Sequence, residues 1–372
     1  MTDQDGARSR RGVITAGLGV VLAGGAASVA GAPPAVARQR ARGAATEGGL
    51  PVVRPGDDWA EVLARTPRVQ LEPGAVYTLG ATVSLPSGCL VVGNGATVTV
   101  ADDGLTAFEI TRRTDVTLTG VRLVGRAADP AGSAPAFAHV GVRITRSSDV
   151  RVTGCDFVSW RGAGVVVTGS ASDDYMEYRT QVAGNTFHRC YFGLSLTDRA
   201  EYGSCRGNTF TGCRLAIWAS SGNWNVADNV VVSCDGAYYA IAATSPYGAL
   251  ASDNWNHGSV VGNTFNHASA GGDGWGGNLA FPLGGSPRDP GSGVVVEGLL
   301  PPTFAGNTLW YTDITASHLA GTRWLLSGCT MSNLTIHQSG TVPVHLVGTQ
   351  ANGEQNLPRT VGEVKDLLAG LG

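Results

Sequence analysis

The chain has 372 residues, a formal net charge of −3 and a charged fraction of 15%. This balance argues against a nucleic-acid-binding surface, which would need a basic excess or a basic stripe. Lys365 is the only lysine, so chemistry that needs a lysine amine in the body of the protein is excluded.

The N-terminus predicts an export signal. Arg10 and Arg11 precede a stretch rich in Gly and Ala, which ends near Ala35-Val36-Ala37, an A-x-A cleavage site. This order is typical of a twin-arginine signal peptide. We therefore expect residues 1–37 to be removed and the mature protein to be secreted, with no membrane attachment. An uncleaved membrane anchor is the alternative, but so many Gly and Ala residues make a poor spanning helix.

The remaining chain divides into three parts. Residues 38–50 are polar and rich in Gly and Ala, which predicts a flexible lead. Residues 51–350 are rich in short β-type segments, and within them Asp58 and Glu61 have the spacing of a capping box, which predicts a short helix over the first coil. In the tail, residues 351–372, the apolar side chains follow helical spacing, which predicts a C-terminal helix that caps the fold or self-associates.

A short phrase recurs through residues 51–350: a small residue or Asp, then Asn or Cys, then a large apolar side chain two residues later. The Asn or Cys members are Cys155, Asn185, Asn208, Asn229, Asn263, Asn307 and Cys329. The closest repeats are about 21 to 23 residues apart, a period typical of a solenoid in which each repeat is one coil. The sequence therefore predicts an all-β parallel β-helix of about nine or more coils with short helical caps at both ends.

Stacked coils should align equivalent side chains in columns. The asparagines would form a ladder at a turn, because Asn tolerates left-handed backbone and its amide can bond along the axis. The internal aromatic column would contain Phe157, Phe187, Phe210 and Phe265. A third column would contain Cys190, Cys213 and Cys234. A disulfide framework is the alternative to buried free thiols at these positions.

These columns, together with the rung Gly88 to Gly95, resemble the secreted right-handed parallel β-helix proteins of the pectate-lyase superfamily. The resemblance covers residues 51–350 and implies the fold but no particular activity. The segment from Cys89 to Val100 and the Cys-bearing rungs are similar to the β-helix region of the adenovirus early large protein. That family is not enzymatic, so the similarity keeps a non-catalytic role open. Resemblance to other twin-arginine substrates implies folding in a reducing compartment, and hence free thiols.

Three intervals between repeats exceed the shortest coil: Gly154 to Gly184, Asp228 to Gly262 and Gly262 to Gly306. The extra residues follow the strand before the next repeat, so they should protrude from one edge of the solenoid. Function in scaffolded folds concentrates on such loops.

The residues of these loops are acidic and aromatic, which suits a polysaccharide or a surface glycan. Carboxylates one or two coils apart would lie roughly 5 to 10 Å from each other, the range used by glycosidases. The candidate catalytic residues are Asp173, Asp174, Glu177, Glu201 and Asp253. The candidate substrate-binding residues are Arg179, Arg199, Tyr202, Trp224, Trp255, His257 and Trp275.

Three functions fit this pattern. A glycoside hydrolase, the first prediction, would pair a protonated carboxyl with an ionised one and needs no cofactor. A polysaccharide lyase would use Arg179, Arg199 or His257 as base or as the cation that neutralises a uronate, with Ca²⁺ on Asp173 and Asp174. A non-catalytic glycan-binding or surface-binding module is the third. A solvated edge whose acids only cap loops would have no such function, and the sequence leaves open a monomer or a homo-oligomer.

Short motifs do not decide among these functions. The segment Asn256-His257-Gly258 resembles the His motif of polygalacturonase-like hydrolases, but the elements that accompany it there are missing. The pair Asp57-Asp58 is better explained by helix capping than by a metal. The sequence has no zinc-ligand spacing, phosphate loop or nucleophile elbow.

Overall fold

The structure, a computed structural model, describes residues 49–126, 134–169, 177–242, 246–247, 258–268 and 293–352. The described residues form three parallel sheets, named A, B and C, with 12, 11 and 10 strands. Each coil contributes one strand to each sheet in the order A, B, C, so the fold is the predicted right-handed parallel β-helix, with the core inside the coil. The predicted signal segment and the C-terminal helix lie outside the described residues.

Sheet A consists of the strands Val52–Val53, Arg68–Leu71, Leu90–Val92, Thr114–Thr119, Ser148–Thr153, Gln181–Ala183, Ser204–Arg206, Asn225–Ala227, Ser259–Val261, Thr303–Ala305, Trp324–Ser327 and Val344–Val347. Sheet B consists of Val76–Leu79, Thr97–Val100, Arg122–Val124, Asp156–Val158, Thr186–His188, Thr209–Thr211, Val230–Val232, Thr264–Asn266, Thr308–Trp310, Thr330–Ser332 and Gln350–Asn352. Sheet C consists of Val83–Ser84, Phe108–Thr111, Val140–Thr145, Ala163–Thr168, Phe192–Thr197, Leu215–Ala219, Gly236–Ile241, Val294–Glu297, Ile314–Ser317 and Ile336–Ser339.

A helix at Trp59–Arg65 covers the first coil, as the capping spacing predicts. The Asp58 carboxylate accepts hydrogen bonds from the backbone N–H groups of Ala60 (2.8 Å) and Glu61 (3.2 Å). The ring of Trp59 is buried and packs edge-on against Phe108, with ring centroids 5.5 Å apart. The helix thus covers apolar side chains that the first coils would otherwise expose. Within the described ranges, no helix has the length and apolarity needed to cross a bilayer.

The predicted asparagine ladder runs along the turn from sheet A to sheet B. Each amide Nδ2 donates to the Oδ1 of the next asparagine at 2.9 to 3.0 Å, through Asn185, Asn208, Asn229, Asn263 and Asn307. The same Oδ1 atoms accept the backbone N–H of the preceding asparagine. Since each Nδ2 also donates to a strand carbonyl, the ladder satisfies buried backbone and side-chain groups together.

The aromatic column is confirmed in its first three members and interrupted before the fourth. The rings of Phe157, Phe187 and Phe210 stack with centroids 4.9 and 4.6 Å apart. The register then places Val231 between Phe210 and Phe265, because that repeat carries Val at this position. A Cβ added at Gly193 would lie 2.5 Å from a carbon of the Phe210 ring, so the stack requires glycine on the facing strand.

All seven cysteines are buried free thiols, which agrees with the expected reduced state. Sheet register aligns Phe192 with Leu215 and Leu215 with Gly236, so Cys190, Cys213 and Cys234, each two residues earlier, occupy one column. Burial raises the pKa of Cys155 and of Cys205 to about 12. Such thiols pack as small hydrophobic side chains and are poor nucleophiles.

Replacing Asn208 with alanine should destabilise the coil strongly. The change leaves the carbonyl of Val182 without its 2.9 Å amide partner and removes the acceptor of the Asn185 amide and backbone N–H groups. Several unsatisfied buried groups should lower the free energy of unfolding by on the order of 2 to 4 kcal/mol. Urea denaturation followed by circular dichroism measures this, with Thr209→Ala on the partly exposed face as control. Equal midpoints for the two variants would show that the ladder is dispensable.

Candidate functional site

The turn from sheet C to sheet A carries two of the three predicted insertions, those in the intervals Gly154 to Gly184 and Asp228 to Gly262. The third falls between the sheet B strand Thr264–Asn266 and the sheet C strand Val294–Glu297, so the prediction of a single edge is wrong for it. At the turn from sheet C to sheet A, one residue near the start of several sheet A strands is in the left-handed region. These residues are Asp115, Asp149, Arg179, Tyr202 and Asn223, with φ between 51° and 59°. The register of the following strands aligns them in one column over five consecutive coils. Left-handed backbone is costly for residues other than Gly, Asn and Asp, so Arg179 and Tyr202 adopt this conformation at an energetic cost.

Two residues of this column, Arg179 and Tyr202, and the adjacent Tyr178 have exposed side chains. We call these three residues the edge patch. The Arg179 guanidinium lies 4.6 Å from the centre of the Tyr178 ring. The backbone N–H of Arg179 donates to the carbonyl of Tyr202 at 3.0 Å, which places the second tyrosine on the next coil. Tyr202 is 55% exposed and Tyr178 is 37% exposed. The patch therefore presents two aromatic rings and a guanidinium plane to solvent.

Asp149 on the preceding coil fixes the position of Arg179. Its two carboxylate oxygens each accept a hydrogen bond from the guanidinium at 2.6 Å, a bidentate pair. The hydrogen bonds from Arg179 lower the pKa of the Asp149 carboxyl, and the same pair raises the pKa of Arg179 further. Both groups are therefore ionised at neutral pH, and the local charge of the pair is balanced.

Glu177, a predicted catalytic carboxyl, points into the turn rather than out of it. It is fully buried, accepts a hydrogen bond from the backbone N–H of Ser147 at 2.7 Å and is also bonded by the hydroxyl of Thr180. Burial raises its pKa to about 8, with a smaller contribution from the charge of Asp149, while the two hydrogen bonds oppose the shift. The carboxyl therefore holds its proton at neutral pH.

Glu201 occupies the next coil and also faces inward. Its backbone N–H donates to the carbonyl of Glu177 at 2.7 Å, so the two predicted carboxyl residues are direct neighbours, as the stacked-loop interpretation predicts. The side chain is 8% exposed and accepts a hydrogen bond from the Asn223 amide at 2.7 Å. The Glu201 side chain therefore links its own turn to the turn of Asn223, on the next coil, by a hydrogen bond.

Trp224 is buried, although the sequence pattern predicts it as a surface platform for a sugar. Its indole N–H donates to the carbonyl of Ala200 at 2.7 Å, and the ring fills the space beside Gly203, where any Cβ would overlap it. Only 2% of Trp224 is exposed. The ring thus stabilises the turn below the edge patch.

The other predicted site residues divide into two groups. Arg199 lies in the same turn in left-handed conformation (φ 62°), and its carbonyl accepts the N–H of Glu177 at 2.9 Å. Outside the described residues lie Asp173, Asp174, Asp253, Trp255, His257 and Trp275. Their catalytic, binding and calcium roles stay predictions. In the part of the chain that is described, no three or more His, Cys, Asp or Glu side chains are grouped around a possible metal.

The sequence patterns missed Asp149, which orients Arg179. The available signal was the spacing of 30 residues between the two, equal to the interval from Gly154 to Gly184 in the same coils.

The sequence patterns also missed a second apolar cluster outside the coil, on the outer face of sheet C. Its buried members are Val140, Ala163, Val166, Tyr191, Phe192, Leu215, Trp218, Tyr239, Ile241, Tyr247 and Val295. Continuous apolar strands such as Gly236–Ile241 indicate burial on both faces.

A buried ion pair borders this second cluster. Arg214 and Asp235 lie 2.7 Å apart, with side chains 13% and 12% exposed, at the turn that enters sheet C. Burial raises the pKa of Asp235 to about 6, and the charge and hydrogen bond of Arg214 oppose that shift. The direct contact with Arg214 thus favours the ionised form of Asp235 that burial disfavours.

Comparison with known proteins identifies a family. Residues 51–245, just over half of the chain, match the family described as "Adenovirus EB1 55K protein / large t-antigen", and the chain belongs to that family. The E1B 55 kDa protein of Tree shrew adenovirus serotype 1 is 29% identical over 58 residues, which are 16% of this chain and 15% of the viral protein. The chain thus matches only a small part of that relative's length.

Solved structures share the fold at low identity. The endo-xylogalacturonan hydrolase from Aspergillus tubingensis has a TM-score of 0.50 at 12% identity, covering 82% of this chain and 93% of that one. A mutant tailspike protein of E. coli bacteriophage HK620, solved with a pentasaccharide, has a TM-score of 0.47 at 13% identity, covering 81% and 64%. The first likeness shows a pectate-lyase-like parallel β-helix.

The Glu177 carboxyl should make the protein less stable as pH rises. Its pKa in the folded state, about 8, lies above the value of 4.5 expected when unfolded, so the folded state binds the extra proton between these values. Stability is then highest below about pH 4.5 and falls until about pH 8. Glu177→Gln keeps the shape and removes the titration, so its melting temperature should exceed that of the wild type by more at pH 8 than at pH 5. An equal difference in melting temperature between the two proteins at pH 5 and at pH 8 would contradict this assignment.

Proposed function

We propose that this protein is an exported glycan-binding β-helix protein, and that a polysaccharide lies along the edge patch. The observation that carries the proposal is the exposure of Tyr178, Arg179 and Tyr202 on adjacent coils, beside a fixed Asp149. A pyranose ring has an apolar face that stacks on an aromatic side chain, while its hydroxyls bond to charged and amide groups. Both kinds of contact are available along this column.

The charges of Arg179 and Asp149 favour a neutral glycan over a polyuronate as the ligand of the edge patch. Arg179 is the exposed cation of the patch, and both oxygens of the Asp149 carboxylate already bind it at 2.6 Å. A uronate carboxylate would have to displace Asp149 or approach its negative charge, which costs binding free energy. The raised pKa of Arg179 keeps its guanidinium protonated, so it cannot accept a proton as the base of a lyase must.

Binding without cleavage is favoured by the direction of the carboxyl groups. Glu177 and Glu201 point into the turn and are bonded to protein groups, so neither faces a glycan on the edge patch. The xylogalacturonan hydrolase from Aspergillus tubingensis shares the fold, which is compatible with a polysaccharide ligand but does not assign one.

Hydrolysis is the second candidate, and one observation favours it. The Glu177 carboxyl is protonated at neutral pH, the state that the acid of a glycosidase needs, and it would have to leave its hydrogen bonds to Ser147 and Thr180 to reach a glycan. The residues Asp173 and Asp174, four and three positions earlier, would supply the ionised partner. Incubation with polysaccharides separates the functions: new reducing ends indicate a hydrolase, unsaturated uronate ends that need calcium indicate a lyase, and retention without product indicates binding alone.

Export by the twin-arginine route is part of the same proposal. The buried free thiols support it, since such a protein folds in a reducing compartment before it crosses the membrane. A fusion of residues 1–37 to a reporter, with Arg10 and Arg11 replaced by lysine as control, tests this route.

Removing the edge patch should weaken glycan binding without unfolding the protein. Tyr202→Ala and Arg179→Ala should each raise the dissociation constant about tenfold, since one aromatic or charge-assisted contact contributes roughly 1 to 2 kcal/mol. Affinity electrophoresis in gels that contain xyloglucan, galactomannan, laminarin or polygalacturonate measures retention.

The matched control is Thr209→Ala on the outer face of sheet B. We expect retention by at least one of the neutral glycans, its loss in both edge variants and its persistence in the control. No retention on any glycan, or equal retention of the edge variants and the wild type, would refute the edge patch as a binding site.

A further inference from the structure

A second set of aromatic side chains lies at a different corner, where sheet B turns into sheet C. Trp310 ends a sheet B strand and is 50% exposed, the most exposed tryptophan of the described residues. Its ring lies parallel to that of Tyr311, with centroids 6.2 Å apart and an interplanar angle of 19°. The Tyr311 ring in turn stacks on His267 of the preceding coil, at 4.8 Å and 16°. The His267 and Tyr311 rings therefore cover one face of each other, and Trp310 is the exposed member of the group; we call these three parallel rings the aromatic ledge.

The backbone beneath the ledge is in an unusual conformation. His267 and Tyr311 both occupy the left-handed region, with φ of 49° and 47°. The same corner places Ser159, Arg189, Gly212, Ser233 and Asn333 in the left-handed region on other coils, so the conformation belongs to the corner and fixes the direction in which its side chains leave the coil.

A buried acceptor adjoins the ledge. The Oδ1 atom of Asn266 is shielded from solvent and has no hydrogen-bond partner in the protein. Sheet register places Asn266 directly beside Trp310. Buried polar side-chain atoms are nearly always paired, so this unpaired oxygen is available to a hydroxyl once the side chains that shield it move aside.

The rows of sheet B beside the ledge are rich in hydroxyl groups. The outer row of sheet B beside it contains Thr264, Thr308 and Thr330 in register, and the row of Trp310 continues with Ser332. Hydroxyls repeated about 4.8 Å apart on a flat sheet can bond to successive groups of an extended chain. A phosphate-bearing ligand would need cations instead, and a protein partner would be expected to cover a larger apolar area.

We propose that Trp310, Tyr311, His267 and Asn266 form a second carbohydrate-binding site for a neutral pyranose. The exposed ring of Trp310 stacks on the apolar face of the sugar, and Asn266, once uncovered, accepts one of its hydroxyls. The site uses a different corner from the edge patch and does not depend on it. Two sites on one rigid coil would bind one polymer with a higher apparent affinity than either site alone.

The test uses the full chain and four variants. Affinity electrophoresis is performed with xyloglucan, galactomannan and laminarin for Trp310→Ala, Trp310→Phe, Tyr202→Ala and Val230→Ala. The last is the matched control, since Val230 is a 39% exposed apolar residue of the same sheet. Light scattering of each variant records its oligomeric state.

On a glycan that retains the wild type, we expect Trp310→Ala to bind about tenfold more weakly, Trp310→Phe to recover part of the loss and Val230→Ala to bind normally. If Trp310→Ala loses retention and Tyr202→Ala keeps it, the ledge is a glycan site and the edge patch is not. If Trp310→Ala binds every glycan as the wild type does, or turns an oligomer into a monomer, the ledge is not a carbohydrate site.

Discussion

The in-register stacking of one coil on the next is the constraint on which the whole molecule depends. A parallel β-helix has no hairpin turns to fix its register, so buried side chains must do so. The amide of each ladder asparagine bonds both to the next asparagine and to a strand carbonyl, for example from Asn208 to Asn229 and Val182. A slip by one residue would break both bonds and would place Phe187 on the outer face. The ladder and the phenylalanine stack therefore specify the same register independently.

Because the coils are in register, equivalent residues of successive coils form columns on the surface. Every coil turns at three corners, and residues at these corners adopt left-handed backbone in most coils. Glycine satisfies this need at Gly184 and Gly207 in the turn from sheet A to sheet B, whereas several corners at the other turns use larger residues such as Arg112 and Arg189. Both proposed sites lie at corners of the second kind, where the side chain leaves the coil and reaches the surface.

The fold was predictable because its cause is periodic, whereas the site depends on single side-chain directions. Repeated phrases disclose the ladder, the cysteine column and the alignment of Glu177 beside Glu201. They do not disclose that Glu177 turns inward to Ser147 and Thr180, since a left-handed corner and a buried partner decide this direction. Trp224 illustrates the same limit, because the glycine that admits its ring precedes it by 21 residues and lies on another coil.

A solenoid also determines how such sites can act on one another. Each coil contacts only its neighbours, so stability is roughly a sum over coils and their interfaces, and a change at one corner need not disturb another. The edge patch and the aromatic ledge lie several coils apart, at Tyr202 and Trp310. Coupling between them would therefore arise through a shared polymer rather than through the protein. A long polysaccharide can engage both corners at once, whereas an oligosaccharide can occupy only one, so chain length rather than conformational change should set the apparent affinity.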